Sequence, residues 1–451
     1  MQLDTLTQFT PLIYNIIFGF LILTGLSFES LNIVSSSNLL SPMRIFWLVF
    51  LLFLLAGLKF KKLKFDLLTY LFILWVFWNA LIFLVHGGEV GVLAVRVMRA
   101  AVILAILLSI KQKKFCFRAF CLSISSKWSI VFATILIFYI LSNLVNAELY
   151  VLITNSIMGV QSNFSIFCAQ FIAIFIFKSF FEYDVKPKNL SKTILQVGLT
   201  IFPLLIWQTL SSGRTGIILS ILIFTSFFYV RFRWRGAVIS ALLICFIFVV
   251  VNLIIQNFQL IVFYFTGNNQ ASSVPINLVD GILRLRTRLD FPSFVEGPLH
   301  HSDDAISSWF YLWHSLDNLS SMRLTLILRS IEAFNFHMLL FGNGINNFFI
   351  TEIGAQKLAP HVELLRHMME LGMFGFLIAF GIYSAPFLKS PRNEKEQFFK
   401  LFLLSSLVIT FAQPSGPLTH LNSAIVFWMV HASQFKLLLD ENNFEVRNNE
   451  G

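Results

Sequence analysis

Apolar runs long enough to cross a lipid bilayer recur along the whole of this chain. A transmembrane helix needs about 20 consecutive apolar residues. Such runs read at about 11–26, 44–58, 66–85, 90–110, 127–145, 163–180, 193–210, 213–230, 236–265, 366–388, 399–412 and 421–438, about twelve in all. No other feature restricts the fold as strongly. In lipid every backbone N–H and C=O must find its partner inside the chain, and a helix does so within one segment. Composition agrees: 57% of the 451 residues are hydrophobic and 12% are charged, where a soluble chain carries about 25% charged residues. A cytosolic enzyme, a secreted domain, a disordered chain and a coiled coil are excluded. The expected fold is all-α, a polytopic membrane protein of about 12 transmembrane helices.

The net charge of +10 acquires meaning from its placement. Lys59, Lys61, Lys62 and Lys64 form one cluster, and Lys111, Lys113, Lys114 and Arg118 the next. Lys178, Lys186, Lys188 and Lys192 follow, then Arg231, Arg233 and Arg235, then Lys389, Arg392, Lys395 and Lys400. The connections at 86–89, 146–162 and 413–420 carry no Lys or Arg. Basic clusters on every second connection give a positive-inside pattern that puts both termini in the cytoplasm. Nucleic acid is not the expected partner; membrane lipid is. The first eleven residues lack the basic start of a cleaved signal peptide, so the first run is expected to remain as a span. The four cysteines form no disulfide framework.

The domain plan follows: spans 1–9 over 1–265, a large extracytoplasmic loop over 266–360, spans 10–12 over 361–438, and a cytoplasmic tail over 439–451 that reads as disordered. A loop that long is uncommon without structure of its own. Pro275, Pro292 and Pro298 make 275–300 irregular. The residues at 304–316 and 321–340 read as helices, the second from the spacing of Leu324, Ile327, Leu328, Ile331 and Phe334. Phe341-Gly-Asn-Gly344 then ends it.

Ionisable groups in membrane spans are expensive and therefore functional candidates. Arg96 and Arg99 sit three residues apart in the extracytoplasmic half of the fourth span, on one helix face. Arg214 lies in Ser-Ser-Gly-Arg-Thr-Gly at 211–216, at the start of the eighth. Glu370 falls about one turn into the tenth. Arginines without a buried carboxylate suit an anion such as a phosphate or pyrophosphate; for Arg96 and Arg99 the competing expectation is snorkelling to the headgroups. His361 follows Pro360 where the loop meets the tenth span, and its near-neutral titration suits a general base at a membrane surface. Glu363, His367 and Glu370 share a face, with Glu370 able to orient an imidazole. For Glu363 and His367 the simpler expectation is a polar helix start with local pairs. His300-His301-Ser-Asp303-Asp304 lacks any metal-ligand spacing, and no metal or cofactor is expected.

Four features, in order, resemble the O-antigen polymerase and O-antigen ligase superfamily of bacterial envelope glycan assembly. These are the twelve spans with cytoplasmic termini, the S-R-T-G-like element at 211–216, Ser321-Met-Arg323 opening a loop helix that runs into Phe341-Gly-Asn-Gly344, and His361 followed by Gly372 and Gly375. The motifs cover about 211–376. Val362 stands where ligases carry Asn, Ser or Gln, a departure from the ligase pattern. The resemblance implies an all-helical (GT-C type) membrane glycosyltransferase of the bacterial inner membrane, whose donor is an undecaprenyl-pyrophosphate-linked oligosaccharide. In that scheme Arg214 and Arg323 neutralise the leaving pyrophosphate, supported by Arg99, Arg96 and Arg329, and His361 is the base. It implies polymerisation of repeat units into O-antigen or a related surface polysaccharide, and admits a chain-length regulator as partner. The alternatives are ligation of the chain to lipid A core and, in another class, a secondary transporter; midplane carboxylates and repeated halves, which a transporter would show, are not seen.

Overall fold

The computed structural model describes residues 11–25, 42–58, 66–134, 161–185, 190–210, 214–266, 336–358, 362–410, 416–418 and 424–435, apart from a few isolated positions. The described residues are predominantly helical. The helices are α1 Pro11–Gly25, α2 Pro42–Ala56, α3 Leu67–His86, α4 Val90–Lys111, α5 Phe117–Ser123, α6 Gln161–Val185, α7 Leu190–Leu210, α8 Arg214–Thr266, α9 Phe336–Phe341, α10 Glu363–Ser384, α11 Glu394–Thr410 and α12 Ile425–Phe435. The exception is a two-stranded antiparallel hairpin, β1 Ile350–Ile353 with β2 Gln356–Leu358, which the all-α expectation did not contain. Among the described residues, four segments are long and apolar enough to cross a membrane: Leu67–His86, Val90–Lys111, Gly216–Leu243 and Glu363–Phe387. The expected loop helix at 304–316, and most of that at 321–340, lie outside the described residues.

The core is aromatic, which is where many of the 53 phenylalanines go. Phe177 packs against Phe117, Phe398, Phe399 and Phe402, joining α5, α6 and α11. Phe180 stacks on Phe398 at 4.9 Å between ring centroids and meets Phe227 of α8 edge-on. Phe18 of α1 is surrounded by Phe120, Trp128, Phe171 and Phe175. Lipid tails are as apolar as these rings, so helix association here rests on close van der Waals packing and ring geometry.

The helix pair α3–α4 is fixed at both ends. Asp66 caps α3 by accepting from the Thr69 N–H at 2.9 Å and pairs with Lys111, in the last turn of α4, at 2.7 Å. At the other end Gly87 and Gly88 turn the chain with φ of 70° and 139°, which only glycine adopts freely.

Two of these helices are broken internally. In α8 the break is at Arg233, with φ 56° and ψ −153°. A Cβ on Gly236 would lie 2.6 Å from the Phe228 carbonyl oxygen; a straight helix separates those residues by about 12 Å. The chain therefore reverses inside the Arg231–Arg235 cluster, as expected of two spans joined by a basic turn. In α10 the break is at Gly372, with φ 72°. The Tyr383 hydroxyl donates to the Glu363 carboxylate at 2.6 Å, although a straight helix would put their backbones about 30 Å apart. The segment expected to cross as one rod over 366–388 is a folded-back pair of arms, 363–371 and 373–384. The first arm, at about 14 Å, is too short to cross a bilayer.

Candidate functional site

The break in α10 is held open by its surroundings. Interrupting a helix strips the last carbonyls of the first arm of their intrahelical partners. All three carbonyls before Gly372 are met from outside: Met369 by the Asn343 N–H at 2.7 Å, Glu370 by the Gly344 N–H at 3.1 Å and Leu371 by the Trp78 indole N–H at 2.8 Å. Two glycines permit the approach. A Cβ on Gly342 would overlap the backbone of Glu370 and Leu371, and one on Gly372 would overlap the backbone of Leu340 and Phe341. Both have φ of 72°. The Gly-Asn-Gly turn after α9 is thus clamped backbone to backbone on the broken helix.

A charged cluster sits beside this clamp. The Glu370 side chain is fully buried; it accepts from the Arg96 guanidinium at 2.5 Å and from Arg366 Nε at 3.2 Å. The other Arg96 terminal nitrogen donates to the Asn79 side-chain oxygen at 3.2 Å, and the Asn79 amide donates to the Trp75 carbonyl. Helices α3, α4 and α10 thus meet in a network of two guanidiniums, one carboxylate and one amide. In low dielectric such a network stands only if its members are paired.

This arrangement revises two expectations. Arg96 does not snorkel: it is turned inward onto Glu370. Nor are the arginines free of a buried carboxylate, since Glu370 is that carboxylate, at the end of the first arm. Its partners are guanidiniums, so its shown role is to hold arginines. Arg99 is half-buried one turn along α4. Arg366, Asn79 and Trp78 were not picked out from sequence. The signals were available: Arg366 precedes Glu370 by four residues, and Asn79 is a lone amide in an apolar run.

A second buried group lies at the open end of the folded pair. Glu363 accepts from the Tyr383 hydroxyl and from the Leu418 N–H at 3.2 Å, and His367 Nε2 lies 3.6 Å away. Gly416 has no room for a side chain, because a Cβ would overlap the Glu363 carboxylate. Trp75 closes over the His367 ring at 4.8 Å. The expected local pair between Glu363 and His367 is present, and tertiary contacts extend it.

Of the expected catalytic residues, Arg214 is the first residue of α8, with its side chain outside the described part; Arg323, Arg329 and His361 lie wholly outside it. Glu363, two residues after His361, is buried against Tyr383 and Leu418 and is not at a surface. A Cβ on Gly344 would lie 2.9 Å from the His86 Cβ, and the His86 ring is 5.9 Å from that of His337. Among the described residues no three His, Cys, Asp or Glu side chains are grouped as a metal site. No family model, curated protein or solved structure matches this chain.

Proposed function

We propose that the chain is a multi-pass glycosyltransferase that polymerises polyprenyl-pyrophosphate-linked oligosaccharide units into O-antigen or a related surface polysaccharide. In this reading about twelve spans cross the bacterial inner membrane with both termini cytoplasmic, and the large loop is extracytoplasmic. The observation that carries the reading is the clamp. The Gly-Asn-Gly turn and the glycine after His361, separate motifs of the resemblance, are in direct backbone contact beside a cluster containing two arginines.

The chemistry is a single displacement. An acceptor hydroxyl attacks the anomeric carbon of the donor, the bond from that carbon to the pyrophosphate oxygen breaks, and the configuration inverts. His361 takes the hydroxyl proton. Arg214 and Arg323 receive the pyrophosphate charge, which grows as the bond breaks, so they stabilise the transition state more than the bound substrate. Arg99 and Arg329 extend the positive field. Arg96 has a different part, bracing the broken helix through Glu370.

The test is the surface polysaccharide of a deletion strain on a gel. Single-unit glycan supports polymerisation. Loss of all surface polymer points to ligation to lipid A core, and unchanged chain length to transport. A chain-length regulator, if one is a partner, would alter the distribution only while this protein is present.

A further inference from the structure

The break in α8 places an arginine where glycine would be free of strain. Arg233 has the one positive φ among the described non-glycine residues. Its neighbours in the basic cluster divide into two kinds. Arg231 is used internally: it pairs with Glu394 at 2.6 Å, donates to the Phe180 carbonyl at 3.0 Å and lies over the Phe180 ring. Arg233 and Arg235 are exposed, and neither has a partner among the described residues. Between them Trp234 is 72% exposed.

The next turns show what this tip faces. Trp234, Val238, Leu242 and Phe246 recur every four residues, and all are exposed. That spacing makes one helix face, apolar along its length and topped by an indole. Such a stripe belongs against acyl chains, with its Trp at the membrane–water boundary. The two guanidiniums flanking the Trp then stand at the depth of lipid phosphates. An arginine fork suits phosphate oxygens, and basic groups at this depth favour anionic over zwitterionic headgroups.

We propose that Arg233, Trp234 and Arg235 form a binding site for an anionic phospholipid headgroup, with the stripe below them taking its acyl chains. The left-handed arginine gives the tip its shape, turning two guanidiniums outward on either side of the indole. This reading is independent of the catalytic proposal.

The experiment is native mass spectrometry of the full-length protein in detergent, offered equal phosphatidylglycerol and phosphatidylcholine. Wild type should retain the anionic lipid preferentially. The preference should fall about five-fold for each arginine removed, in R235Q and then in R233Q/R235Q. Arg235→Gln lies on an exposed helical face, so it leaves the hairpin intact. Arg233→Gly should raise the melting temperature by relieving the backbone, yet lose lipid preference; a turn that merely carries an arginine would gain stability with lipid preference unchanged. Equal retention of the two lipids by wild type, or unchanged preference in R233Q/R235Q, would overturn the proposal. So would displacement of the lipid by soluble glycerol phosphate at matched concentration, which would mark a free-phosphate site.

Discussion

Glu370 illustrates how a charge survives inside a membrane protein. Its carboxylate is fully buried between Arg96 and Arg366. Removing Glu370 leaves two guanidiniums facing each other without their carboxylate, and removing Arg96 leaves the carboxylate to Arg366 alone. Breaking a buried group of this kind costs about 3–5 kcal/mol. Glu370→Gln and Arg96→Gln should each lower thermal stability in detergent by that order. The double variant should recover part of the loss, the signature of direct coupling. An Arg96 that only snorkelled would give almost no change and no coupling. Function gives a separate forecast at the same scale. His361→Gln should lower chain growth from a purified lipid-linked repeat unit by about 10²–10⁴-fold, the usual worth of a general base. More than about a tenth of the wild-type rate would remove His361 from that role. Sequence exposed the residue types of this site but not their pairing. Arg96 and Glu370 stand 274 positions apart, and nothing local says which carboxylate an inward arginine will meet.

At the scale of elements, α3 and α4 were legible almost to the residue, at 66–85 and 90–110 against Leu67–His86 and Val90–Lys111. Long, predominantly apolar runs, an Asp cap and a Gly-Gly turn all agree there. The break in α10 was not legible. Apolar residues continue through it from Leu371 to Ile378, and a glycine inside a helical pattern usually stays helical at a modest cost. The deciding partner, Gly342, is thirty residues upstream. The clamp makes a sharp forecast. Gly372→Ala and Gly342→Ala each add a methyl where backbone atoms already lie, at a φ that L-residues rarely adopt. Each should cost about 3 kcal/mol or more, through overpacking plus backbone strain. Gly91→Ala is the control. Nothing lies within 4 Å of its Cβ position in α4, and alanine there should stabilise by about 0.4–1 kcal/mol. Equal melting temperatures for the three variants would show that the glycines do not hold the break.

At the scale of the molecule, the folded-back α10 raises a question of sidedness, because a pair of arms that returns on itself does not cross. Depth markers along α3 answer it. Gly344 meets His86, the Leu371 carbonyl meets Trp78, His367 meets Trp75, and a Cβ on Gly381 would lie 3.4 Å from Leu71. The chain therefore begins at the His86 end of α3, and the open end of the pair lies toward the end where Asp66 and Lys111 join. From Gly344 at the His86 end the chain comes to Glu363 at the opposite, open end, runs back to Gly372 and then returns, so the path toward the Lys389 cluster contains two reversals. On the expected positive-inside orientation, the Gly344 end is the extracytoplasmic one. Single cysteines at Ser272 and Leu319, in a background freed of the native thiols, should react in intact cells with a membrane-impermeant maleimide. Cysteines at Lys188 and Asn393 should react only after the membrane is opened. Labelling of 393 from outside, with 319 protected, would mean that the traverse between Gly344 and the Lys389 cluster runs the other way, and would move the clamp and its arginines to the cytoplasmic face.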